Sequence, residues 1–148
     1  MTLPPIRRSV VVAADPARAY AAWTEEIGGW WPLATHSVFG PDGTVAFLDG
    51  RLVETSADGT ATVWGTVLAA EPPHLLRLTW HPGHEDERGT VELRFVPLGP
   101  GRTLVTLEHT GWEHYPQPAA ARESYSVGWG PVLAGYCSAA GAAAGQPG

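Results

Sequence analysis

The chain has 148 residues, the length of one ordinary domain, and a chain this long buries roughly 70% of its unfolded surface in a single core. Apolar residues make up 44% and charged residues 16%, a balance that excludes a disordered chain. The net charge is −6, and no basic cluster is longer than the Arg7–Arg8 pair. These charges argue against nucleic acid and anionic membranes as partners.

The single cysteine, Cys137, excludes an internal disulfide framework and every multi-cysteine metal site. A single cysteine is typical of a protein in a reducing compartment. No apolar run approaches the ~18 residues of a membrane span, and the N-terminus lacks the apolar stretch of a signal peptide. We therefore expect a cytoplasmic protein.

The first two elements are predicted to be a strand and a helix. Residues 6–14, IRRSVVVAA, are rich in β-branched side chains, which favour a strand. Asp15 followed by Pro16 is typical of a helix start, because the carboxylate accepts an N-cap hydrogen bond and proline has the φ of the first helical residue. The helix is predicted to end at Gly28–Gly29. Its apolar stripe comprises Tyr20, Trp23 and Ile27.

Apolar residues then alternate with period two up to residue 110. The segments ADGT, EPPH, GHEDERG and LGPGR interrupt the alternation with turn-forming residues, which is typical of antiparallel neighbours. The predicted strands cover residues 45–48, 51–55, 60–70, 75–81, 90–97 and 103–110.

The last element is predicted to be a long helix over residues 117–140. Its internal glycines cost about 1 kcal/mol each and Pro131 costs more, so packing must stabilise this helix, and we expect a bend near Pro131. Residues 141–148 are low in complexity and are expected to form a disordered tail beyond a single domain of residues 1–140. Apolar side chains recur at three- and four-residue steps: Tyr125, Trp129, Val132, Leu133, Tyr136 and Ala140.

This order of elements predicts an α+β fold. An antiparallel sheet of six or seven strands with one apolar face buries that face by curling around the long C-terminal helix.

Four segments carry a more specific signal: AADPARAYAAWTEEIGGWWP, WGTVLAAEPPHLLRLTW, VELRFVPLGPGRTLVTLEHTGWE and GWGPVLAGY. They resemble the heat-shock protein 90 ATPase activator homologue family of the START-like (SRPBCC) superfamily, over residues 6–136. The resemblance implies a helix-grip fold, in which the sheet wraps the C-terminal helix and leaves a cavity between them. One motif departs from the family, because this chain has DGRLVE, with the single glycine Gly50, where members usually show Gly-Gly-Arg-x-x-Glu.

The chain has seven tryptophans, and ordinary core packing explains many of them, since truncating a buried aromatic costs roughly 3–5 kcal/mol. Aromatic rings also line ligand pockets. Trp64 alternates with Val63 and Gly65, which predicts that it points away from the face of Val67. In the cavity that the resemblance implies, the predicted ligand-binding residues are Trp30, Trp80, His109, Trp112, Tyr125 and Trp129.

His109 has two interpretations. In LVTLEH, the alternation places Leu107 and His109 on the apolar face and Glu108 on the solvent face. The imidazole is then either a structural histidine, hydrogen-bonded to a neighbouring element, or a group that orients a ligand or acts as a base.

No other motif indicates a catalytic or metal site. HPGHEDE, residues 81–87, holds two histidines and three acids, but its spacing matches no dedicated zinc or calcium loop. His36, His74 and His114 lie on predicted loops and turn edges and give no signal. We therefore predict no catalytic residue, no metal and no organic cofactor.

The leading hypothesis is a protein that binds a small apolar molecule, of unknown identity, in an internal cavity. Two alternatives stay open: a chaperone-interacting module of the ATPase-activator type, and a cofactor-free cyclase or hydrolase in which His109 would act. The absence of a catalytic constellation favours binding over catalysis. A chaperone contact and a homodimer both stay open as partners.

Overall fold

The computed structural model describes residues 3–83 and 89–143. Within them it contains seven strands, two α-helices and two single turns of 3₁₀ helix, Ile27–Gly29 and Trp112–His114. The helices and strands are β1 (Ile6–Val12), α1 (Pro16–Thr24), β2 (Thr44–Leu48), β3 (Arg51–Thr55), β4 (Ala61–Glu71), β5 (Leu75–Trp80), β6 (Gly89–Gly99), β7 (Arg102–Thr110) and α2 (Pro118–Ala143).

The strands form one antiparallel sheet in the order β1-β7-β6-β5-β4-β3-β2. The first and last strands pair, with Ile6 opposite His109 and Val12 opposite Thr103. The sheet curves around α2, so the predicted α+β helix-grip fold is confirmed.

The predicted start of α1 is confirmed. Asp15 Oδ1 accepts a hydrogen bond from the N–H of Arg18 at 2.9 Å, and Pro16 is the first helical residue. The helix ends at Thr24, earlier than the pattern suggested, and Ile27 lies in the 3₁₀ turn that follows. Ile27 is nevertheless buried with the rest of the predicted stripe.

The C-terminal helix runs without interruption through Pro131. The hydroxyl of Tyr136 on this helix donates a hydrogen bond to the carbonyl of Ala19 at 2.8 Å, which links α2 to α1. The helix extends to Ala143, three residues beyond the predicted domain boundary, and residues 144–148 lie outside the described part of the chain. The buried stripe of α2 comprises Trp129, Val132, Leu133, Tyr136 and Ala140.

No helix among the described residues is long and apolar enough to cross a membrane.

The β2–β3 hairpin shows how DGRLVE turns with one glycine. Leu48 pairs with Arg51, which leaves Asp49 and Gly50 as a two-residue loop. Their φ angles are 50° and 77°, as a type I′ turn requires, and Asp-Gly is a favoured sequence for that turn.

A bulge in β4 reverses the prediction for Trp64. Leu52 pairs with Gly65 and Val53 pairs with Val63, so Trp64 is an extra residue between two pairs. Trp64 and Gly65 are therefore both buried although they are neighbours in sequence. The prediction that Trp64 points away from the face of Val67 was wrong, because the bulge shifts the alternation by one residue and Trp64, only 1% exposed, lies in the core against which Val67 packs.

Candidate functional site

A pocket of about 180 Å³, partly open to solvent, lies where α2, β4, β5 and the loop of residues 30–43 meet. Its volume is close to that of a cavity of about 150 Å³ known to hold benzene, so it has room for a small ring system. Most lining residues are apolar or aromatic, as in known ligand pockets. The lining residues are Trp31, His36, Ser37, Val38, Trp64, Trp80, Pro82, Tyr125, Gly128, Trp129 and Val132.

Four indole rings form the main walls, and we call Trp31, Trp64, Trp80 and Trp129 the tryptophan box. Their ring centroids are 5.0 Å apart for Trp31 and Trp64 and 5.0 Å for Trp80 and Trp129. Trp31 and Trp80 are 5.9 Å apart across the box. These separations suit tilted and edge-to-face packing. Each of the four residues has an exposed fraction of 7% or less. The box is therefore a cluster of packed indoles that borders the pocket.

The loop of residues 30–43 supplies one wall, and its own hydrogen bonds hold it. The indole N–H of Trp31 donates to the carbonyl of His36 at 2.7 Å. The Ser37 hydroxyl donates to the carbonyl of Leu33 at 2.6 Å and accepts from the N–H of Gly40 at 2.8 Å. These hydrogen bonds hold the part of the loop that lines the pocket in one conformation.

Glu54 on β3 ties this loop to the sheet. Its side chain is fully buried, and Oε1 accepts from the N–H of Val38 at 2.8 Å and from the indole N–H of Trp64 at 3.0 Å. Oε2 accepts from the N–H of Phe39 at 2.9 Å. A buried carboxylate is costly unless its oxygens find donors, and three N–H groups meet that need here. Sequence analysis missed Glu54, although its place on the face of buried Leu52 was an available signal.

His109 lies at the centre of a directed chain of hydrogen bonds. The Tyr115 hydroxyl donates to the carbonyl of Trp80 at 2.7 Å, so it accepts from Nε2 of His109, 2.9 Å away. Nδ1 of His109 accepts from the indole N–H of Trp129 at 3.1 Å. These partners assign the neutral Nε2–H tautomer, and burial lowers the pKa of His109 to about 3. Both ring nitrogens have partners, which favours the structural interpretation of this residue.

The structure separates the six predicted ligand-binding residues. Trp80, Tyr125 and Trp129 line the pocket. Fully buried His109 and Trp112 do not; their rings lie 4.3 Å apart in a second aromatic layer, where His109 contacts Tyr125 and Trp129.

Trp30 does not line the pocket, although its neighbour in sequence, Trp31, belongs to the tryptophan box. Its ring packs against Trp23 and Tyr136, with centroids 5.2 and 5.4 Å apart, and its indole N–H donates to the carbonyl of Ala22. The pocket residues that sequence analysis did not predict to bind a ligand include Trp31, Trp64 and His36. His36 gave no sequence signal because it lies in a loop without periodicity.

The possible metal segment HPGHEDE falls mostly outside the described residues. His81 is buried, and residues 84–87 are not described. In the described part of the chain, no three His, Cys, Asp or Glu side chains are grouped so as to hold a metal ion. The expectation of a metal-free protein stays a prediction.

A curved antiparallel sheet that grips a C-terminal helix beside an aromatic pocket defines a START-like helix-grip protein. The chain belongs to the family described as Activator of Hsp90 ATPase homolog 1-like protein, whose sequence model matches residues 13–135. This confirms the resemblance seen in the sequence. Among curated proteins, none matches the chain significantly.

Several solved structures are similar over nearly the whole chain. The anthrahydroquino-γ-pyrone synthase Txn09, solved in complex with SUM, is 31% identical, with a TM-score of 0.63 over 93% of this chain and 97% of that one. CalC, a self-sacrificing resistance protein from Micromonospora echinospora, is 22% identical, with a TM-score of 0.71 over 97% and 98%. An AHSA1-like protein from Aeromonas hydrophila is 19% identical, with a TM-score of 0.61 over 96% of each chain. The last two show the fold alone.

Proposed function

We propose that this protein binds a small, flat, largely apolar molecule in the pocket of the tryptophan box. The observation that carries the proposal is a partly open pocket of about 180 Å³ whose lining includes four indoles packed against one another. A concave site lined mostly by apolar and aromatic side chains with few polar groups is typical of small-molecule binding. Flat rings match indole faces in offset or edge-to-face contact.

The relationship to Txn09 supports the same class of ligand. The name of that 31% identical protein describes a product of fused flat rings, and it was solved with a bound compound. A ring system of that shape suits the tryptophan box, with any further rings reaching the open side of the pocket.

The test is a titration with naphthalene, followed by the indole N–H signals in ¹H–¹⁵N spectra. We expect saturable binding of one molecule per chain, with the largest shifts on the four indoles of the tryptophan box. The fully buried indole of Trp23 lies outside the lining and serves as the internal reference. Shifts that do not saturate, or that spread evenly over all seven indoles, would overturn the proposal.

A matched pair of variants on α2 locates the binding site. Val132 is 2% exposed and lines the pocket, whereas Val127 is 74% exposed on the same helix. Val132→Phe fills the pocket and should weaken naphthalene binding by about tenfold or more, whereas Val127→Phe should not change it. If Val132→Phe fails to fold, Val38→Trp gives a second plug at the mouth, where Val38 is 44% exposed. Unchanged binding by a folded plugged variant would contradict the proposal.

A second candidate function is cofactor-free catalysis on the bound ring system, and the name of Txn09 as a synthase favours it. Native mass spectrometry of protein purified without denaturation would identify a retained molecule. A binding protein should hold a compound of constant mass, whereas an enzyme should convert it with time. The chaperone contact stays a prediction that rests on the family's description.

A further inference from the structure

His36 is held rigidly at the wall of the pocket. Its backbone N–H donates to the carbonyl of Pro32 at 2.8 Å, and its carbonyl accepts from the indole of Trp31 at 2.7 Å. Its Nδ1 lies 2.7 Å from the Thr35 hydroxyl oxygen. The Thr35 hydroxyl therefore orients the imidazole ring of His36 through Nδ1 alone.

The other nitrogen, Nε2, makes no hydrogen bond with any residue in 3–83 or 89–143. It faces Gly128 on α2, where a Cβ would lie 3.6 Å from it. A glycine inside a helix costs about 1 kcal/mol relative to alanine, so Gly128 weakens the helix while it leaves Nε2 uncovered. Both residues line the pocket.

Most other polar groups around the pocket already have partners. The indoles of Trp31, Trp64 and Trp129 donate to His36, Glu54 and His109, respectively. The indole N–H of Trp80 has no partner among the described residues, but it is buried from solvent, whereas Nε2 of His36 is not. The Ser37 hydroxyl both donates and accepts within its own loop. A hydrocarbon ligand that displaced water from the pocket would thus leave Nε2 of His36 unpaired, which is unfavourable.

We propose that the ligand is an oxygenated aromatic molecule, whose hydroxyl or carbonyl oxygen hydrogen-bonds to Nε2 of His36 while its rings lie in the tryptophan box. This inference rests on the proposed binding function. The Thr35 hydroxyl can donate to Nδ1 or accept from it, so Nε2 can donate to a carbonyl or accept from a hydroxyl. His36 is then the residue that selects the ligand's polar group.

The test compares 2-naphthol with naphthalene, two probes that differ by one hydroxyl. Wild-type protein should bind 2-naphthol about fivefold to tenfold more tightly, the value of one hydrogen bond, here to a half-buried histidine. His36→Leu should abolish that preference, measured as the ratio of the naphthalene and 2-naphthol dissociation constants of the same variant. A preference that survives in His36→Leu would overturn the inference. 2-Acetylnaphthalene, compared with 2-ethylnaphthalene, tests the carbonyl in the same way.

A second variant covers Nε2 without removing the histidine. Gly128→Ala places a methyl group 3.6 Å from Nε2, an ordinary van der Waals contact, and should reduce the 2-naphthol preference by about threefold or more. Gly130→Ala is the matched control, because its added methyl meets nothing within 4 Å on the same helix. Equal preferences in the two variants would contradict the position assigned to the ligand oxygen.

The two proposals fail in different ways. If neither 2-naphthol nor naphthalene binds saturably, both the proposed function and this inference are wrong. If both bind with equal affinity, the binding function stands and the role of His36 is wrong.

Discussion

The indole N–H of Trp129 on α2 donates to Nδ1 of His109 on β7. This bond continues through Tyr115 to the carbonyl of Trp80 on β5, so one chain of hydrogen bonds joins the helix to two strands. Trp129 and Trp80 both line the pocket. His109 therefore positions two walls of the pocket without lining it.

His109→Gln should make the stability of the protein less sensitive to acid. Burial lowers the pKa of His109 to about 3, whereas an unfolded histidine has a pKa of about 6.5. Between these values the unfolded chain binds a proton that the folded chain does not, so the free energy of unfolding falls as the pH falls. The stability is fully present above about pH 6.5, and about 2 kcal/mol of it is lost between pH 7 and pH 5.

Urea unfolding at pH 7, 6 and 5 measures this effect. At pH 7, His109→Gln should cost about 1 kcal/mol or less and leave naphthalene binding unchanged, because the amide replaces one donor and one acceptor. At pH 5 the variant should equal or exceed the wild type in stability. His74→Gln, at an exposed turn, controls for the loss of a histidine as such. Parallel pH profiles for wild type and His109→Gln would show that the buried imidazole does not resist protonation.

Glu54→Gln should destabilise the protein by about 1–3 kcal/mol. The carboxylate accepts from Val38, Phe39 and Trp64, and an amide NH₂ in place of either oxygen would face at least one of these donors. Because the loop of residues 30–43 would lose an anchor, naphthalene binding should weaken as well. Urea unfolding measures the stability, with Glu123→Gln at an exposed site of α2 as the control. Identical unfolding curves for Glu54→Gln and wild type would rule out Glu54 as the anchor.

Gly65→Ala should destabilise the protein by more than about 4 kcal/mol or prevent folding. A Cβ at this position would lie 1.9 Å from the carbonyl oxygen of Thr79 on the neighbouring strand β5. Gly130→Ala, with open space around its Cβ, should be neutral or slightly stabilising. Thermal unfolding by circular dichroism gives both values. A melting temperature for Gly65→Ala within a few degrees of wild type would mean that the bulge adapts easily.

Removal of metal should not change the stability. The spacing of HPGHEDE matches no dedicated metal loop, so we expect no stoichiometric zinc or calcium in the purified protein and an unchanged melting temperature with chelator. Elemental analysis and a thermal melt with EDTA measure these two quantities. A drop of several degrees would reveal a metal site.

The sequence alone determined the order of the elements and much of the concave face. Asp15–Pro16 starts α1, the alternation in LVTLEH turns His109 inward, and the three- and four-residue steps of α2 bury Trp129. Trp80 lies in the predicted strand of residues 75–81, which the structure ends one residue earlier, at Trp80. These features are local, because they depend on residues a few positions apart and on the periods of strands and helices.

The tertiary structure alone decided which side chains meet in the pocket. A one-residue bulge brings Trp64 into the tryptophan box, and alternation cannot reveal a bulge because it assumes an unbroken period. Trp31 and His36 reach the pocket on a loop without periodicity, which is anchored by Glu54 through hydrogen bonds spanning 15 and 16 positions of the chain. Trp112 and Trp30 are aromatic and mostly buried, yet they pack elsewhere. Periodicity states which face a residue occupies, whereas long-range contacts decide which neighbour it meets there.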